Sequence, residues 1–254
     1  MSKVLTISGQ RGGSGKSVTA LNLAVSLGLY EKRVLLVDCD PQGCVSEWSG
    51  ANATGYPFDL ASVLTGKATT IEAISKTEFT CLDILPAGFN LFQVALKLSR
   101  LVANEKILRL LMEDIRNDYD FIILDSPPSY GYLSIAALTA ADWLLVAVPP
   151  RDQWVEDFHS LLKSIQYIRQ THDTRLKIAG LLFNRRQSLE EIQEGLTDQH
   201  LADTRNLIYD TIIPRDEAVD QAINKKIPLV LNDIKSPAAD AYLQAAREVI
   251  LAFT

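Results

Sequence analysis

A glycine-rich segment near the N-terminus has the residue types that bind phosphate groups. It reads Gly9-Gln10-Arg11-Gly12-Gly13-Ser14-Gly15-Lys16-Ser17, between an apolar run at Val4–Ser8 and a helical pattern from Lys16 to about Leu29. Glycines let backbone N–H groups curl around an anion, and a helix N-terminus adds its dipole and free N–H groups. Lys16 supplies a charge for the β- and γ-phosphates, and Ser17 supplies a hydroxyl for Mg²⁺. The usual G-x-x-x-x-G-K-[ST] pattern is broken only at Gln10.

Carboxylates follow two further apolar runs. Val34–Asp38 leads into Asp-Cys-Asp-Pro-Gln-Gly, with acids at Asp38 and Asp40, and Phe121–Asp125 leads into Ser-Pro-Pro-Ser. Ligands of open α/β sheets bind beyond the carboxyl ends of the strands, so we expect these acids near the phosphates. The strand that ends in Asp125 has the form of a Walker B strand, whose Asp holds Mg²⁺ directly or through water. Phosphoryl transfer needs mainly such positioning and charge neutralisation.

The elements that position these residues alternate between apolar strands and helical patterns. Strands that are apolar throughout fit a parallel sheet covered on both faces. Repeated strand–helix units predict an α/β fold with a doubly wound, mostly parallel sheet and helices on both faces, in one domain over residues 1–254. The predicted strands are Val4–Ser8, Val34–Asp38, Ile84–Pro86, Phe121–Asp125, Leu144–Val148, Ile178–Phe183 and Ile208–Ile213.

Composition excludes several classes of protein. The chain has 254 residues, of which 47% are hydrophobic and 22% charged, so it is neither disordered nor a low-complexity repeat. We expect no membrane span and no signal peptide, because the apolar runs are short or interrupted. The three cysteines form no C-x-x-C pair, which indicates reduced cytosolic thiols. The net charge of −6 means that any binding to nucleic acid needs a local basic patch.

The phosphate segment resembles the deviant Walker A motif of the ParA/MinD ATPases, which usually reads Lys-Gly-Gly-x-Gly-Lys-[Ser/Thr]. Residues 38–43 are similar to the family's Asp-x-Asp-Pro-Gln-Gly, residues 125–129 to its Asp-x-Pro-Pro-Ser, and Leu133–Asp142 also fits. The resemblance covers nearly the whole chain. It implies a P-loop NTPase fold, ATP and Mg²⁺ as cofactors, and a homodimer that sandwiches two ATP molecules.

The resemblance also implies roles for single residues. The first Lys of the family motif reaches the partner subunit's nucleotide, and Arg11 stands at that position. The implied catalytic residues are Lys16, Asp38, which positions or activates the attacking water, and Arg11. The implied metal-binding residues are Ser17, Asp40 and Asp125. The other implied nucleotide-binding residues are Gly12, Gly13, Ser14, Gly15, Val18, Asn184, Pro214, Arg215 and Asp216, with Asn184 and Pro214 flanking the adenine.

Basic residues follow the last two predicted strands. They are Arg186, Arg215, Lys225 and Lys226. In relatives, basic residues at the first two places bind DNA without sequence preference in the dimer. We expect no sequence-specific operator binding, because no helix-turn-helix segment precedes the phosphate segment.

The resemblance thus predicts a ParA-type partition ATPase of the short form, cytoplasmic and associated with the nucleoid. Its ATP dimer binds non-specific DNA, and hydrolysis stimulated by a ParB-like or McdB-like adaptor releases it, which segregates plasmid or chromosome DNA. One alternative is an McdA-like ATPase that positions a protein cargo such as a carboxysome. A MinD-like membrane-cycling ATPase would need an amphipathic basic C-terminal helix, whereas the only Lys or Arg in Ala238–Phe253 is Arg247. An iron–sulfur carrier lacks its C-x-x-C here, and a metabolic ligase lacks an identifiable site for a substrate carboxylate.

Overall fold

The computed structural model describes residues 2–9, 11–49, 56–101, 104–128, 131–150, 154–172, 174, 176–185, 192 and 202–253. The strands are β1 (Lys3–Ser8), β2 (Val34–Asp38), β3 (Ser75–Lys76), β4 (Asp83–Leu85), β5 (Phe121–Asp125), β6 (Trp143–Val148), β7 (Lys177–Asn184) and β8 (Ile208–Ile213). The α-helices are α1 (Lys16–Leu29), α2 (Cys44–Trp48), α3 (Leu60–Leu64), α4 (Thr70–Ala73), α5 (Leu91–Leu98), α6 (Ile107–Glu113), α7 (Tyr132–Ala140), α8 (Trp154–His172), α9 (Ala202–Arg205), α10 (Glu217–Lys225), α11 (Leu229–Asn232) and α12 (Pro237–Phe253).

All eight strands belong to one sheet, in the order β3-β4-β2-β5-β1-β6-β7-β8. Neighbouring strands are parallel except for β3, which pairs antiparallel with β4. Strand β1 pairs with β5 on one side and with β6 on the other, so the direction of winding reverses at β1. Ligands of doubly wound folds bind at such a reversal, beyond the carboxyl ends of the strands.

Helices cover both faces of the sheet, which confirms the predicted fold class. Helices α3 to α8 pack on one face, and α1, α2 and α10 to α12 pack on the other. Each face of the sheet has its own hydrophobic core, and successive strand residues point to opposite faces. Val4 packs into the core under α3 to α8, and Leu5 packs into the core under α1, α2 and α10 to α12; both are fully buried. This arrangement explains why the strands are apolar throughout rather than alternating.

The predicted element bounds agree with the structure to within about two residues, with one strand missed. Helix α1 has the predicted bounds, whereas α12 begins one residue early, at Pro237. Strand β3 was not predicted, since its two residues, Ser75 and Lys76, carry no apolar pattern. No helix among the described residues is both long and apolar enough to cross a bilayer.

Gly28, near the end of α1, allows this helix to approach the segment before β4. A Cβ atom at this position would lie 2.5 Å from the carbonyl oxygen of Cys81 and 2.7 Å from its Cβ. One of these contacts is to backbone, which cannot move aside as a flexible side chain can. The close approach therefore requires glycine here.

We expect Gly28→Ala to destabilise the protein by about 1–3 kcal/mol through overpacking. The higher helix propensity of alanine, worth about 1 kcal/mol, opposes this loss only in part. Urea denaturation measures the change, with Gln166→Ala on the exposed face of α8 as a matched helical control. A Gly28→Ala protein as stable as the wild type would contradict the close contact.

Candidate functional site

The loop between β1 and α1 leaves backbone N–H donors free at the start of the helix. Gly13 has a φ of 77° and Gly15, the N-cap residue, a φ of 86°, both in the left-handed region that glycine adopts readily. The N-cap makes no side-chain hydrogen bond, and the first turn has no acidic residue. Among the described residues, no side chain accepts from the first N–H groups of α1, which are therefore available to an anion.

The Lys16 side chain folds back over this loop. Its Nζ atom donates to the carbonyl oxygen of Arg11 at 3.1 Å and to Ser14 Oγ at 3.4 Å, and the residue is only 6% exposed. Burial lowers the pKa of Lys16, while the charges of Asp125 and Asp40 oppose this decrease. The side chain thus places a buried positive charge inside the loop, beside the carboxylates.

Asp38 is a fully buried acid whose carboxylate is held on both oxygens. Oδ1 accepts the backbone N–H of Asp40 at 3.1 Å, and Oδ2 accepts the Ser46 N–H at 2.8 Å and the Ser46 hydroxyl at 2.6 Å. Burial raises the pKa of Asp38 to about 6, although the hydrogen bonds from Ser46 and Asp40 favour the charged form. The three hydrogen bonds fix the segment between β2 and α2.

The carboxylates of Asp40 and Asp125 accept fewer hydrogen bonds than that of Asp38. Asp40 accepts the Gln42 N–H on Oδ1 at 2.9 Å. Both oxygens of Asp125 are buried, and neither meets hydrogen-bond geometry with a described residue. Burial and the charges of Asp38 and Asp40 raise the pKa of Asp125 well above its usual range, opposed by the nearby Ser17 hydroxyl and by Lys16. The described part of the protein thus compensates the charge of Asp125 only in part.

These residues fit a magnesium ion that also takes oxygens from a nucleotide. No group of three His, Cys, Asp or Glu side chains among the described residues is arranged to hold a metal ion by itself. Mg²⁺ prefers six oxygen ligands and in phosphate sites takes one or two from protein, with the rest from phosphates and water. Ser17 and Asp125 have oxygens suited to that share. The metal-binding group of Ser17, Asp40 and Asp125 stays a prediction.

A cleft of about 500 Å³ opens beside the phosphate loop. Six of the predicted nucleotide-binding residues line it: Gly15, Val18, Asn184, Pro214, Arg215 and Asp216. Its size matches that of ordinary small-molecule sites. The structure therefore brings the loop after β1 and the ends of β7 and β8 to one cavity, as the resemblance implies for a nucleotide.

Two of these lining residues also hold the site together. Asn184 donates through Nδ2 to the Ser14 carbonyl oxygen at 2.8 Å and so supports the loop from behind. Asp216 caps α10 by accepting the Ala218 N–H at 2.9 Å, and its other oxygen accepts the Ala238 N–H at 3.1 Å. Their predicted contacts with the nucleotide remain predictions.

The sequence analysis missed two residues that contact the predicted site residues. Ser46 donates to Asp38, and its hydroxyl accepts the Ala87 N–H at 3.0 Å, which connects the loop after β2 with the loop after β4. Asp157 in α8 pairs with Arg11 at 2.9 Å. Arg11 and Asp157 are 146 residues apart, so no local pattern could indicate their contact. Ser46 is 8 residues from Asp38, but a serine within the short helix α2 has no distinctive sequence pattern.

The predicted DNA-binding residues differ in their surroundings. Arg215, Lys225 and Lys226 are exposed, whereas Arg186 lies outside the described residues. Lys226 pairs with Glu47 at 2.7 Å, and Lys225 donates to Asn232 Oδ1 at 3.1 Å. Arg215 and the two lysines lie at opposite ends of α10. The helical rise per residue puts them roughly 15 Å apart.

We expect Asp125→Asn to stabilise the nucleotide-free protein at pH 8 by about 1–3 kcal/mol, because it removes a buried carboxylate whose charge is compensated only in part. Since the folded-state pKa of Asp125 is raised, its favourable contribution is present at low pH and is lost as the pH rises through that pKa. The gain should therefore shrink toward pH 5.

Urea denaturation at pH 5 and pH 8, without nucleotide or Mg²⁺, measures this difference. Asp210→Asn, at an exposed position of β8, is the control and should change little at either pH. A variant less stable than the wild type at pH 8 would show that the surroundings of Asp125 stabilise its charge.

Comparison with known proteins is consistent with this geometry. A family model described as an AAA domain matches residues 2–178. The chain is 36% identical to the chromosome partitioning protein ParA of Caulobacter vibrioides, over 98% of this chain and 94% of that one. It is 32% identical to the sporulation initiation inhibitor protein Soj of Bacillus subtilis, over 98% of both chains.

Solved structures agree on the fold. Cobyrinic acid a,c-diamide synthase from Mycobacterium smegmatis, with bound ADP and magnesium, is 26% identical with a TM-score of 0.82, over 100% of this chain and 96% of that one. Apo McdA of Cyanothece is 21% identical with a TM-score of 0.83, over 98% and 100% of the two chains, which shows the fold alone. From the family model, the near-full-length similarity to ParA and Soj and the shared fold, this chain belongs to the ParA/MinD family of deviant Walker A ATPases.

Proposed function

We propose that this chain is a Mg²⁺-dependent ATPase that partitions DNA, and that ATP joins two copies into a sandwich dimer. The observation that carries the proposal is the buried group formed by Lys16, Asp40 and Asp125 beside free N–H donors of α1. A phosphate chain with its cation suits this group, because Lys16 and the N–H donors bind phosphate oxygens and the two carboxylates bind the cation. Near-full-length similarity to ParA and Soj supports partition as the process.

Each residue of the site has a separate role in phosphoryl transfer. Bound MgATP would supply the scissile phosphate bond and the divalent charge. The N–H groups of α1 and the Lys16 ammonium hold phosphate oxygens, Ser17 and Asp125 hold the ion, and the cleft beside Asn184 and Pro214 receives the base. Preorganised charges of this kind stabilise the transition state without reorganisation.

Geometry favours Asp40 over Asp38 for orienting the attacking water. All three hydrogen bonds to Asp38 come from the protein, and the residue is fully buried. Asp40 is 8% exposed and uses Oδ1 for the Gln42 N–H, which leaves Oδ2 for a water. We therefore assign to Asp38 the positioning of the Asp40 backbone, and to Asp40 the water.

We expect Asp40→Ala to bind MgATP and to hydrolyse it about 10²-fold more slowly, so that the ATP dimer accumulates. Asp38→Ala should instead lower the free energy of unfolding, because Ser46 loses its buried acceptor. Light scattering after size-exclusion chromatography and a phosphate-release assay measure both variants. Fast turnover by Asp40→Ala, together with a trapped and stable Asp38→Ala dimer, would reverse the assignment.

DNA binding and release complete the proposal. The ATP dimer presents two copies of the basic residues on one surface, binds DNA without sequence preference on the nucleoid, and leaves it after hydrolysis stimulated by a ParB-like adaptor. The 36% identity to ParA supports DNA as the cargo, whereas the likeness to McdA is one of fold. Arg186 and Arg215 are the preferred contacts, because Lys226 already pairs with Glu47.

We expect Arg186→Ala to weaken ATP-dependent binding to two unrelated duplexes equally, since phosphate contacts carry no base information. Each phosphate contact contributes about 0.9 to the slope of log affinity against log salt, so loss of both arginines of a dimer lowers the slope by roughly 2. Fluorescence anisotropy at several salt concentrations, with ATP and with ADP, measures this.

Lys226→Ala is the matched control and should change the slope less, because its charge is shared with Glu47. Equal affinity in ATP and ADP, or an unchanged slope for Arg186→Ala, would argue against DNA binding at this surface.

A further inference from the structure

Arg11 is held by a carboxylate of its own subunit. Its Nε atom donates to Asp157 Oδ2 at 2.9 Å and to Oδ1 at 3.2 Å, and its Nη2 atom donates to Oδ1 at 2.9 Å. This is a two-pronged contact that a lysine ammonium cannot reproduce, because the guanidinium presents its donors in a planar fork. The residue that replaces the family's usual Lys therefore suits Asp157 especially well.

Asp157 itself cannot easily follow the loop. It lies in the first turn of α8, between the buried side chains of Trp154 and Phe158. Trp154 packs edge-on against Phe183 of β7 with ring centroids 5.0 Å apart. The acceptor is thus fixed to the core, whereas the Arg11 side chain is 45% exposed.

The ion pair with Asp157 opposes a contact of Arg11 with the nucleotide of a second copy. While the pair is intact, the Nε and Nη2 donors face Asp157, so phosphate oxygens of a second copy cannot take the same two-point contact with them. The carboxylate also neutralises the charge that would attract those phosphates. Release of Arg11 leaves Asp157 without its partner in a site where only 17% of its side chain is exposed.

We propose that Asp157 restrains Arg11 in the single subunit and so sets the protein concentration at which the ATP dimer forms. The inference rests on the proposed ATP-dependent dimer and names the contact that must break when it assembles. Arg11 exchanges Asp157 for the nucleotide of the second copy. The exchange delays dimer formation until nucleotide is bound on both sides.

The test compares Asp157→Asn with the wild type, in Mg²⁺ and the non-hydrolysable analogue AMP-PNP. Asparagine keeps the shape and one acceptor but removes the charge that competes with phosphate. Sedimentation velocity over a concentration series should give a dimerisation midpoint lower by about threefold or more, from the strength of partly exposed ion pairs. Arg11→Lys, which keeps the charge but loses the fork, should shift the midpoint in the same direction.

Two controls isolate the contact. Glu113→Gln breaks the exposed pair between Arg109 and Glu113 in α6, joined at 3.5 Å, and should leave the midpoint unchanged. In an Arg11→Ala background, Asp157→Asn should bring no gain, because the restrained group is absent. Circular dichroism and thermal unfolding confirm that each variant is folded.

The outcomes separate the inference from the proposed function. A wild type that dimerises with AMP-PNP, and an Asp157→Asn protein with an equal or higher midpoint, would overturn the inference alone. A wild type that stays monomeric with Mg²⁺ and AMP-PNP at every concentration would overturn the sandwich dimer and the inference with it.

Discussion

Three acids and one lysine are buried together where the carboxyl ends of β1, β2 and β5 meet. Parallel pairing puts Asp38 directly opposite Asp125 across β2 and β5, so their positions follow from the sheet register. Burial and neighbouring charges raise the pKa of Asp38 and of Asp125. Lys16 and the Ser17 hydroxyl oppose this rise at Asp125, and hydrogen bonds from Ser46 and Asp40 oppose it at Asp38. A site of this kind is costly without a ligand and is stabilised by one that brings both a cation and phosphate oxygens.

The hydrogen bonds around Ser46 hold this group in place. Its N–H and hydroxyl fix Asp38, whose other oxygen fixes the backbone of Asp40. The same hydroxyl accepts from Ala87 beyond β4, and Tyr56 donates to the Ser46 carbonyl oxygen at 3.0 Å. These hydrogen bonds connect the loop after β2, which carries Asp40, with the loop before α5.

Local patterns predicted the fold and the phosphate loop because both depend on neighbours in sequence. The glycines and the helix that begins at Lys16 lie within one segment, and an apolar run marks each of the longer strands. Asp157 escaped prediction because its partner Arg11 is 146 residues away. Ser46 is only 8 residues from Asp38, but a serine within a short helix has no distinctive sequence pattern, and its other partner, Ala87, is 41 residues away. The helix cap formed by Asp216 could have been predicted from the sequence, since Asp before a helix is a common N-cap residue.

Calorimetric titration with MgATP tests most directly whether the buried charges at the sheet edge form a phosphate site. The account predicts one site per chain for the wild type, weaker binding when EDTA removes Mg²⁺, and no measurable binding by Lys16→Ala with unchanged circular dichroism. Normal MgATP affinity in a folded Lys16→Ala protein would contradict it.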